Sequence, residues 1–562
     1  MTSAPHRTRH TGGTAAQRPR PLTARPTVLA ALLTAALALA GCTAQGERTQ
    51  TSADSAGLSA PAPATEGLSG AEVAPLPGPE PAVPPADQRA LTDQEEYDDS
   101  PETPFQDVAT SPLSTFSADV DTASYSNLRR QVSQGVAPEG VRIEELVNYF
   151  DYDYPAPTVG AEHPFSVTTE VATAPWNPEH QLAMVGVQAT EALPTSEGNN
   201  IVFLLDVSGS MDEPNKLPLL AESFALLVEQ LDEDDRVSIV TYAGDNQVIA
   251  DSVPGSEHGV LVDHLRSLRA GGSTGGADGL RTAYELAEKN FVAGGNNRVI
   301  LATDGDFNVG PSTPEELTEL IEAERESGVY VSVLGFGMYN LKDNTMEAIA
   351  DHGNGNYAYI DTLAEARKVL VDEFGSTMFV VAQDLKLQVE LNPAAVGSYR
   401  LIGYDNRRLE DEDFDNDAKD AGDVGAGHSV TAFYELVPAG AGGGSDDLKY
   451  SDQEVGTSDD YMTVHVRYKA PDGGRPAAST EVEFPVGADA FTSTPTADFA
   501  FASAVAELGL IATESEYRAE ANVDAVIERA AAALGEDRYG LRAEFVDLVG
   551  AYREVAPGDG AQ

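Results

Sequence analysis

The stretch that decides the fold is Ile201-Val202-Phe203-Leu204-Leu205-Asp206-Val207-Ser208-Gly209-Ser210. Its first five residues form a continuous apolar run, which is typical of a strand buried on both faces of a parallel sheet. The run ends at Asp206, which begins the D-x-S-x-S sequence completed by Ser208 and Ser210. Because ligands of open α/β sheets bind beyond the carboxyl ends of the strands, the stretch predicts a central strand with a polar site at its end.

Strands and helices alternate after this stretch. Apolar residues at helical spacing follow it, at Leu220, Phe224, Leu227, Val228 and Leu231. Further strands are predicted at 237–242, 299–303 and 330–334, with helices at 261–268, 277–289 and 314–327. This alternation predicts a doubly wound, mostly parallel α/β sheet over residues 199–378.

Two more loops should bring polar residues to the same edge of this sheet. Thr274 lies in the glycine-rich loop 271–276, just before a helix, and Asp304 follows the strand at 299–303. Together with the D-x-S-x-S sequence after the first strand, these loops offer five oxygen-bearing side chains. In the alternative interpretation, Asp206 and Ser208 only cap the turn that follows them, and the glycine-rich segment is an ordinary loop.

The five residues, in this order, resemble the metal-ion-dependent adhesion site of the von Willebrand factor type A (VWA) family. The resemblance implies a Rossmann-like VWA domain and a divalent cation, with Mg²⁺ expected first and Mn²⁺ or Ca²⁺ as alternatives. The implied metal residues are Asp206, Ser208, Ser210, Thr274 and Asp304. Mg²⁺ prefers six oxygens, and neutral hydroxyl ligands leave most of its charge unquenched. The resemblance therefore also implies an open coordination position that accepts an exposed carboxylate of a partner protein.

The flanking regions predict an accessory domain assembled from both sides of the VWA domain. Residues 112–198 read as an α+β segment, 379–490 as a β-rich domain and 491–562 as a helical segment. Four segments resemble a bacterial family of lipoproteins built around such a domain, namely 116–125, 141–150, 403–407 and 426–432. This resemblance runs from about 112 to 555 and implies architecture without a biochemical role.

The N-terminus predicts export and lipid anchoring. An arginine-rich start is followed by a short apolar run, which is typical of a signal peptide over residues 1–41. Leu39-Ala40-Gly41-Cys42 resembles a bacterial lipobox, and Cys42 is the only cysteine of the chain. The resemblance implies lipidation of Cys42 and a place on the extracytoplasmic face of the cell membrane; a buried free thiol is the alternative. Residues 42–111, rich in Ala and Pro, predict a disordered tether.

The charge balance limits the partners. Asp and Glu number 91 against 35 Lys and Arg, which gives a net charge of −56. Such a surface repels nucleic acid and anionic lipid headgroups and attracts cations. We therefore expect no nucleic-acid partner.

Two further sets of residues are weaker candidates. Asp411, Asp413, Asp415 and Asp417 suggest a calcium loop, although Asn416 and Gly422 stand where an EF-hand loop has glycine and glutamate. A solvated acidic loop is the alternative. The histidines are scattered singly, so the sequence predicts neither a hydrolase triad nor a zinc site, and His428 is the one that stands out by its Gly-Ala-Gly-His setting.

These observations favour a binding protein over an enzyme. The leading hypothesis is a lipid-anchored, cell-surface module that captures an acidic side chain through a cation at Ser208, Ser210 and Thr274. The alternative is an accessory subunit that helps to assemble or activate a membrane complex, for which an ATPase is one candidate partner. An extracytoplasmic enzyme comes third, since the sequence offers no acid–base pair or nucleophile beside the predicted metal.

Overall fold

The computed structural model describes residues 95–97, 100–118, 120–158, 160–191, 198–272, 276–305, 314–338, 340–440, 460–471 and 478–556. The predicted signal peptide, Cys42 and the predicted tether as far as residue 94 lie outside the described residues. None of the described helices is long and apolar enough to cross a membrane.

The described part of the N-terminal segment contributes four strands and two helices ahead of the central unit. In chain order these are β1 (Gln106–Asp107), β2 (Leu113–Ser117), α1 (Ala123–Ser133), α2 (Ile143–Asn148), β3 (Phe165–Ala174) and β4 (Asn177–Ala189). The turn between β3 and β4 contains Trp176, which is fully buried and donates its Nε1–H to Glu435 Oε2 at 3.1 Å.

The central unit alternates strands and helices as the sequence predicts. Its elements are β5 (Asn199–Asp206), α3 (Leu217–Val228), β6 (Arg236–Ala243), β7 (Asp245–Pro254), α4 (His258–Ser267), α5 (Gly276–Lys289), β8 (Asn296–Thr303), α6 (Pro314–Ser327), β9 (Tyr330–Phe336), α7 (Asp343–His352), β10 (Tyr357–Ile360), α8 (Leu363–Arg367) and α9 (Phe374–Met378). The strands form one sheet in the order β10-β9-β8-β5-β6-β7, parallel except for β7 at one edge. The predicted doubly wound, mostly parallel sheet is confirmed.

Strand β5 lies in the middle of this sheet, and its side chains alternate between two cores. Phe203 packs on one face in the same cluster as Phe224 of α3. Leu204 packs on the other face in the same cluster as Leu280 of α5. Every residue of β5 is buried. Because burying one such side chain stabilises the fold by roughly 1.5–3 kcal/mol, the end of β5 is held rigidly, and so is the loop that leaves it.

Strands of the C-terminal segment join strands of the N-terminal segment in two antiparallel sheets, and three helices follow them in the described part of the chain. Its elements are β11 (Val380–Leu391), β12 (Val396–Ile402), β13 (Arg408–Leu409), β14 (Val424–Gly425), β15 (Ser429–Pro438), β16 (Met462–Lys469), β17 (Thr480–Val486), α10 (Ala497–Ala512), α11 (Val523–Ala532) and α12 (Leu541–Val555). The two sheets run β1-β12-β15-β4-β3 and β13-β2-β11-β16-β17. Since β4 pairs with β15, and β2 with β11, the accessory domain is assembled from both ends of the chain, as predicted.

The predicted N-terminal boundary at residue 111 is wrong. Residues 95–97 and 100–111, assigned to the tether, pack on the rest of the protein. Strand β1 pairs with β12, and Val108 is fully buried. Thr103 donates its backbone N–H and its hydroxyl to Asp405 Oδ1 at 2.8 and 2.5 Å. Strand β12 and Asp405 are some 300 positions away in the sequence. The local sequence of 100–111 therefore has no periodic pattern that would predict an ordered segment.

Candidate functional site

The loop after β5 forms the centre of the predicted site. The backbone N–H of Ser208 donates to Asp206 Oδ1 at 2.8 Å, and the hydroxyl oxygens of Ser208 and Ser210 lie 2.9 Å apart. A short helical turn, Gly209–Met211, carries the loop away from the sheet, and the fully buried Met211 anchors it. The D-x-S-x-S residues therefore meet around one small volume at the carboxyl edge of the sheet.

Asp206 is fully buried between the neighbouring strands. Its Oδ2 accepts hydrogen bonds from the Tyr242 hydroxyl of β6 and the Thr303 hydroxyl of β8, each at 3.2 Å. Burial is the main effect that raises the pKa of Asp206 to about 6; the bonds from Ser208 and Thr303 oppose this rise, and the charge of Asp304 adds to it. Two carboxylates thus lie close together with little access to water.

Asp304 is also fully buried, and it is paired with a lysine that the sequence did not single out. Lys216 Nζ lies 2.9 Å from Asp304 Oδ2 and 3.2 Å from Asn340 Oδ1. Gly337 has a positive φ of +83°, and a Cβ there would collide with the Lys216 stem. Two features of the sequence could have indicated this ion pair. They are Lys216, directly before the apolar start of α3, and Gly337, which leaves room for the lysine side chain.

Thr274 lies outside the described residues, so its predicted role as a metal ligand stays a prediction. The described part of its loop does run beside the site. Gly271 donates its N–H to the Val207 carbonyl at 2.8 Å, and Gly209 donates to the Gly272 carbonyl at 3.3 Å. The structure therefore brings together Asp206, Ser208, Ser210 and Asp304, and it places Gly271 and Gly272 beside them.

The acidic run at 411–417 has partners of its own in the accessory domain. Asp411 Oδ1 accepts a hydrogen bond from the Thr115 hydroxyl, and Lys386 Nζ donates to the carbonyl of Asp413. Arg467 bonds Asp415 at 3.3 Å and Asp417 at 2.8 Å. The positively charged side chains of Lys386 and Arg467 thus lie against this loop. Calcium binding there stays a prediction.

His428 lies beside a cavity of about 870 Å³ between the central unit and the accessory domain. Its side chain is partly exposed, but Nδ1 is buried and has no hydrogen-bond partner among the described residues. Burial, and secondarily the charge of Lys368, lowers the pKa of His428 to about 4. His428 therefore stays neutral at physiological pH, and it is not among the described hydrogen-bond partners of Ser208 and Ser210.

The sheet and its loop site define a VWA-domain protein. The family model described as von Willebrand factor type A domain matches residues 200–373, and another described as von Willebrand factor matches 91–184. A third, described as Uncharacterized protein YfbK, C-terminal, matches 376–555. The chain is 43% identical over 470 residues to Uncharacterized protein YfbK of Escherichia coli (strain K12), across 81% of this chain and 80% of that protein. The chain belongs to the YfbK family.

Two more distant similarities cover smaller shares of the chain. Human Inter-alpha-trypsin inhibitor heavy chain H3 is 28% identical over 188 residues, which cover 32% of this chain and 21% of that protein. A solved structure, von Willebrand factor type A from Catenulispora acidiphila, is 17% identical with a TM-score of 0.41, covering 68% of this chain and 90% of that chain. The VWA domain indicates a function of the protein-interaction or adhesion type.

Proposed function

We propose that this chain is a lipid-anchored, extracytoplasmic binding protein that engages an acidic side chain of a partner protein through a divalent cation. The residues that would hold the cation are Asp206, Ser208, Ser210, Thr274 and Asp304. The observation that carries the proposal is the convergence of buried carboxylates and paired serine hydroxyls at the end of β5.

The donor set fits a hard divalent cation. Asp206 accepts three hydrogen bonds, and it contacts no lysine or arginine among the described residues. A buried carboxylate without a compensating cation is costly to keep ionised. The Ser208 and Ser210 hydroxyls beside it are oxygen donors of the kind that Mg²⁺ and Mn²⁺ accept. When bound, the cation would supply Lewis acidity toward an incoming carboxylate.

The surroundings of the site favour binding over catalysis. The described residues there supply hydroxyls, carboxylates and the ammonium group of Lys216, which is held by Asp304 and Asn340. None of the described histidines hydrogen-bonds Ser208 or Ser210. A nucleophilic serine needs an adjacent general base, so this arrangement supports a role in holding a ligand.

The membrane location rests on the sequence around Cys42. A lipobox-like Leu39-Ala40-Gly41-Cys42 follows an apolar run, and the chain has no second cysteine with which Cys42 could pair. A lipid anchor there would keep the VWA domain at the cell surface, where it can meet a partner.

The test is a capture experiment with the full lipidated chain in solubilised membranes. Three forms are compared: the unaltered chain, Asp206→Asn, and the control Asp263→Asn, which removes an exposed carboxylate of α4. The proposal expects a specific partner with the unaltered chain and the control, loss of that partner in EDTA, and recovery with added Mg²⁺. Asp206→Asn should capture none. Capture that is equal for all three forms and insensitive to EDTA would overturn the proposal.

A further inference from the structure

A second group of metal-binding side chains lies on the accessory sheet, away from the site at β5. His465 of β16 is paired directly with Glu483 of β17, and Glu481 lies two residues earlier on the same strand face. On the other side of His465, Gln388 of β11 is its partner, so Glu390 lies on this face too. Residues directly opposite in antiparallel strands share a face, and so do residues two apart.

The distances within this cluster are too long for hydrogen bonds and suit a shared ion. His465 Nδ1 lies 3.6 Å from Glu481 Oε1 and 4.0 Å from Glu483 Oε1. The ligand atoms of these three residues all lie within 4.8 Å of one another. Ligands of a tetrahedral zinc ion, with bonds of about 2.0–2.1 Å, are separated by about 3.3 Å. A small closing movement of the two exposed glutamates would therefore bring the three ligand atoms to this spacing.

Glu390 occupies the place of a supporting carboxylate. Its Oε2 lies 3.7 Å from His465 Nε2, on the nitrogen that faces away from Glu481 and Glu483. A histidine that binds a metal through one nitrogen commonly donates its other N–H to a carboxylate, which fixes the tautomer and orients the ring. The ring is also held by Phe414, whose centroid is 6.4 Å away in an edge-on arrangement.

Protection of an exposed sheet edge explains only part of this cluster. Strand β17 is at the edge, and charged residues there discourage pairing with another chain. That role does not account for His465 on β16 or Glu390 on β11, which both lie inside the sheet. Nor do nearby cations neutralise the glutamates well. Arg467 lies 3.9 Å from Glu481 and closer to Asp417, at 2.8 Å.

We propose that His465, Glu481 and Glu483 bind a transition-metal ion of the Zn²⁺ class, with Glu390 as the positioning residue behind the imidazole. An imidazole ligand favours Zn²⁺, Co²⁺ or Ni²⁺ over Mg²⁺ and Ca²⁺, which prefer shells made of oxygen alone. Three protein ligands on an exposed face leave a coordination position open to water. The site is separate from the cation site at β5 and does not depend on it.

The test is a titration of the full chain with Co²⁺, in which binding is measured by calorimetry and by the visible absorption of the bound Co²⁺. Saturating Mg²⁺ is present so that the proposed cation site at β5 is occupied. We expect His465→Gln to abolish the visible absorption of Co²⁺ bound at this site. The same variant should weaken Co²⁺ binding there by 100-fold or more. Glu390→Gln should weaken it about 10–100-fold while keeping the absorption, as loss of a supporting carboxylate does. The control His264→Gln, on α4, should bind as the unaltered chain does.

The double variant Glu481→Gln/Glu483→Gln provides a second test in case His465→Gln fails to fold. Both glutamates are exposed, so their substitution should leave the fold intact. It should lose Co²⁺ binding to the same extent as His465→Gln. Retention of the same Co²⁺ affinity and absorption in His465→Gln, or in the folded double variant, would overturn the proposal. Any residual Co²⁺ binding that no variant alters belongs to other groups of the chain.

Discussion

Replacing Lys216 with methionine tests how the buried charges beside β5 are held. The Nζ–Oδ2 distance to Asp304 is 2.9 Å, and the two side chains are 5% and 0% exposed. At an effective dielectric constant of about 20, the attraction of such a pair is about 6 kcal/mol before desolvation is counted. Methionine keeps most of the aliphatic stem and removes the charge, so Asp304 loses its ammonium partner.

We expect Lys216→Met to lower the free energy of unfolding by about 3–5 kcal/mol in EDTA, the usual cost of breaking a buried pair from one side. Lys289→Met is the matched control. Its pair with Asp251 is 59% and 43% exposed, and such surface pairs contribute about 1 kcal/mol or less. Urea denaturation of both variants and the unaltered chain, followed by circular dichroism, gives the comparison.

The same experiment in Mg²⁺ connects stability to the proposed site. A cation bound there stabilises the folded state by about 2.7 kcal/mol when its concentration is 100 times the Kd. Because removal of the ammonium also removes a repulsive charge near the cation, Mg²⁺ should recover more stability in Lys216→Met than in the unaltered chain. If Lys216→Met costs no more than Lys289→Met in EDTA, the argument from buried charge is refuted.

Three further predictions concern other parts of the chain. Cys42→Ser should abolish incorporation of labelled lipid, and unchanged labelling would contradict the lipobox interpretation. Deletion of residues 95–111 should cost about 3 kcal/mol or more in urea denaturation, because Val108 is fully buried and Thr103 bonds Asp405; an unchanged midpoint would show that this segment contributes no stability. The pKa of His428 is lowered from 6.5 to about 4, so the unfolded chain takes up this proton first and stability falls as pH drops from about 6.5 to about 4. Between pH 7 and 4.5, the free energy of unfolding of His428→Gln should therefore fall by about 2–3 kcal/mol less than that of the unaltered chain. If urea denaturation at the two pH values shows the same fall for both proteins, the prediction is contradicted.

The sequence predicts the central sheet well because its signals are local. Residues 201–205 of β5 form a continuous apolar run, and Asp206 and the small residues 208–210 come soon after it. The strand and the location of its loop could therefore both be inferred. Strand β7 was missed because it is a polar edge strand with Val248 49% exposed. Strand β10 was missed because four residues carry too little pattern.

Long-range pairing accounts for what the sequence could not predict. Lys216 and Asp304 are separated by 88 positions, and each alone is an ordinary charged residue. The histidines looked isolated along the chain, whereas the register of β16 with β17 places His465 opposite Glu483. Such constellations depend on strand register, which one sequence does not specify outside a hairpin.

Calorimetric titration of Mg²⁺ and Mn²⁺ into the full chain tests the central claim most directly. The unaltered chain and the control Asp263→Asn should bind the cation alike, and His465→Gln should not change this binding. Asp206→Asn should bind far more weakly while retaining its circular dichroism spectrum. Equal binding by the unaltered chain and Asp206→Asn would place the cation elsewhere, with the acidic run at 411–417 the first region to examine, and no binding by either would contradict the metal-dependent account.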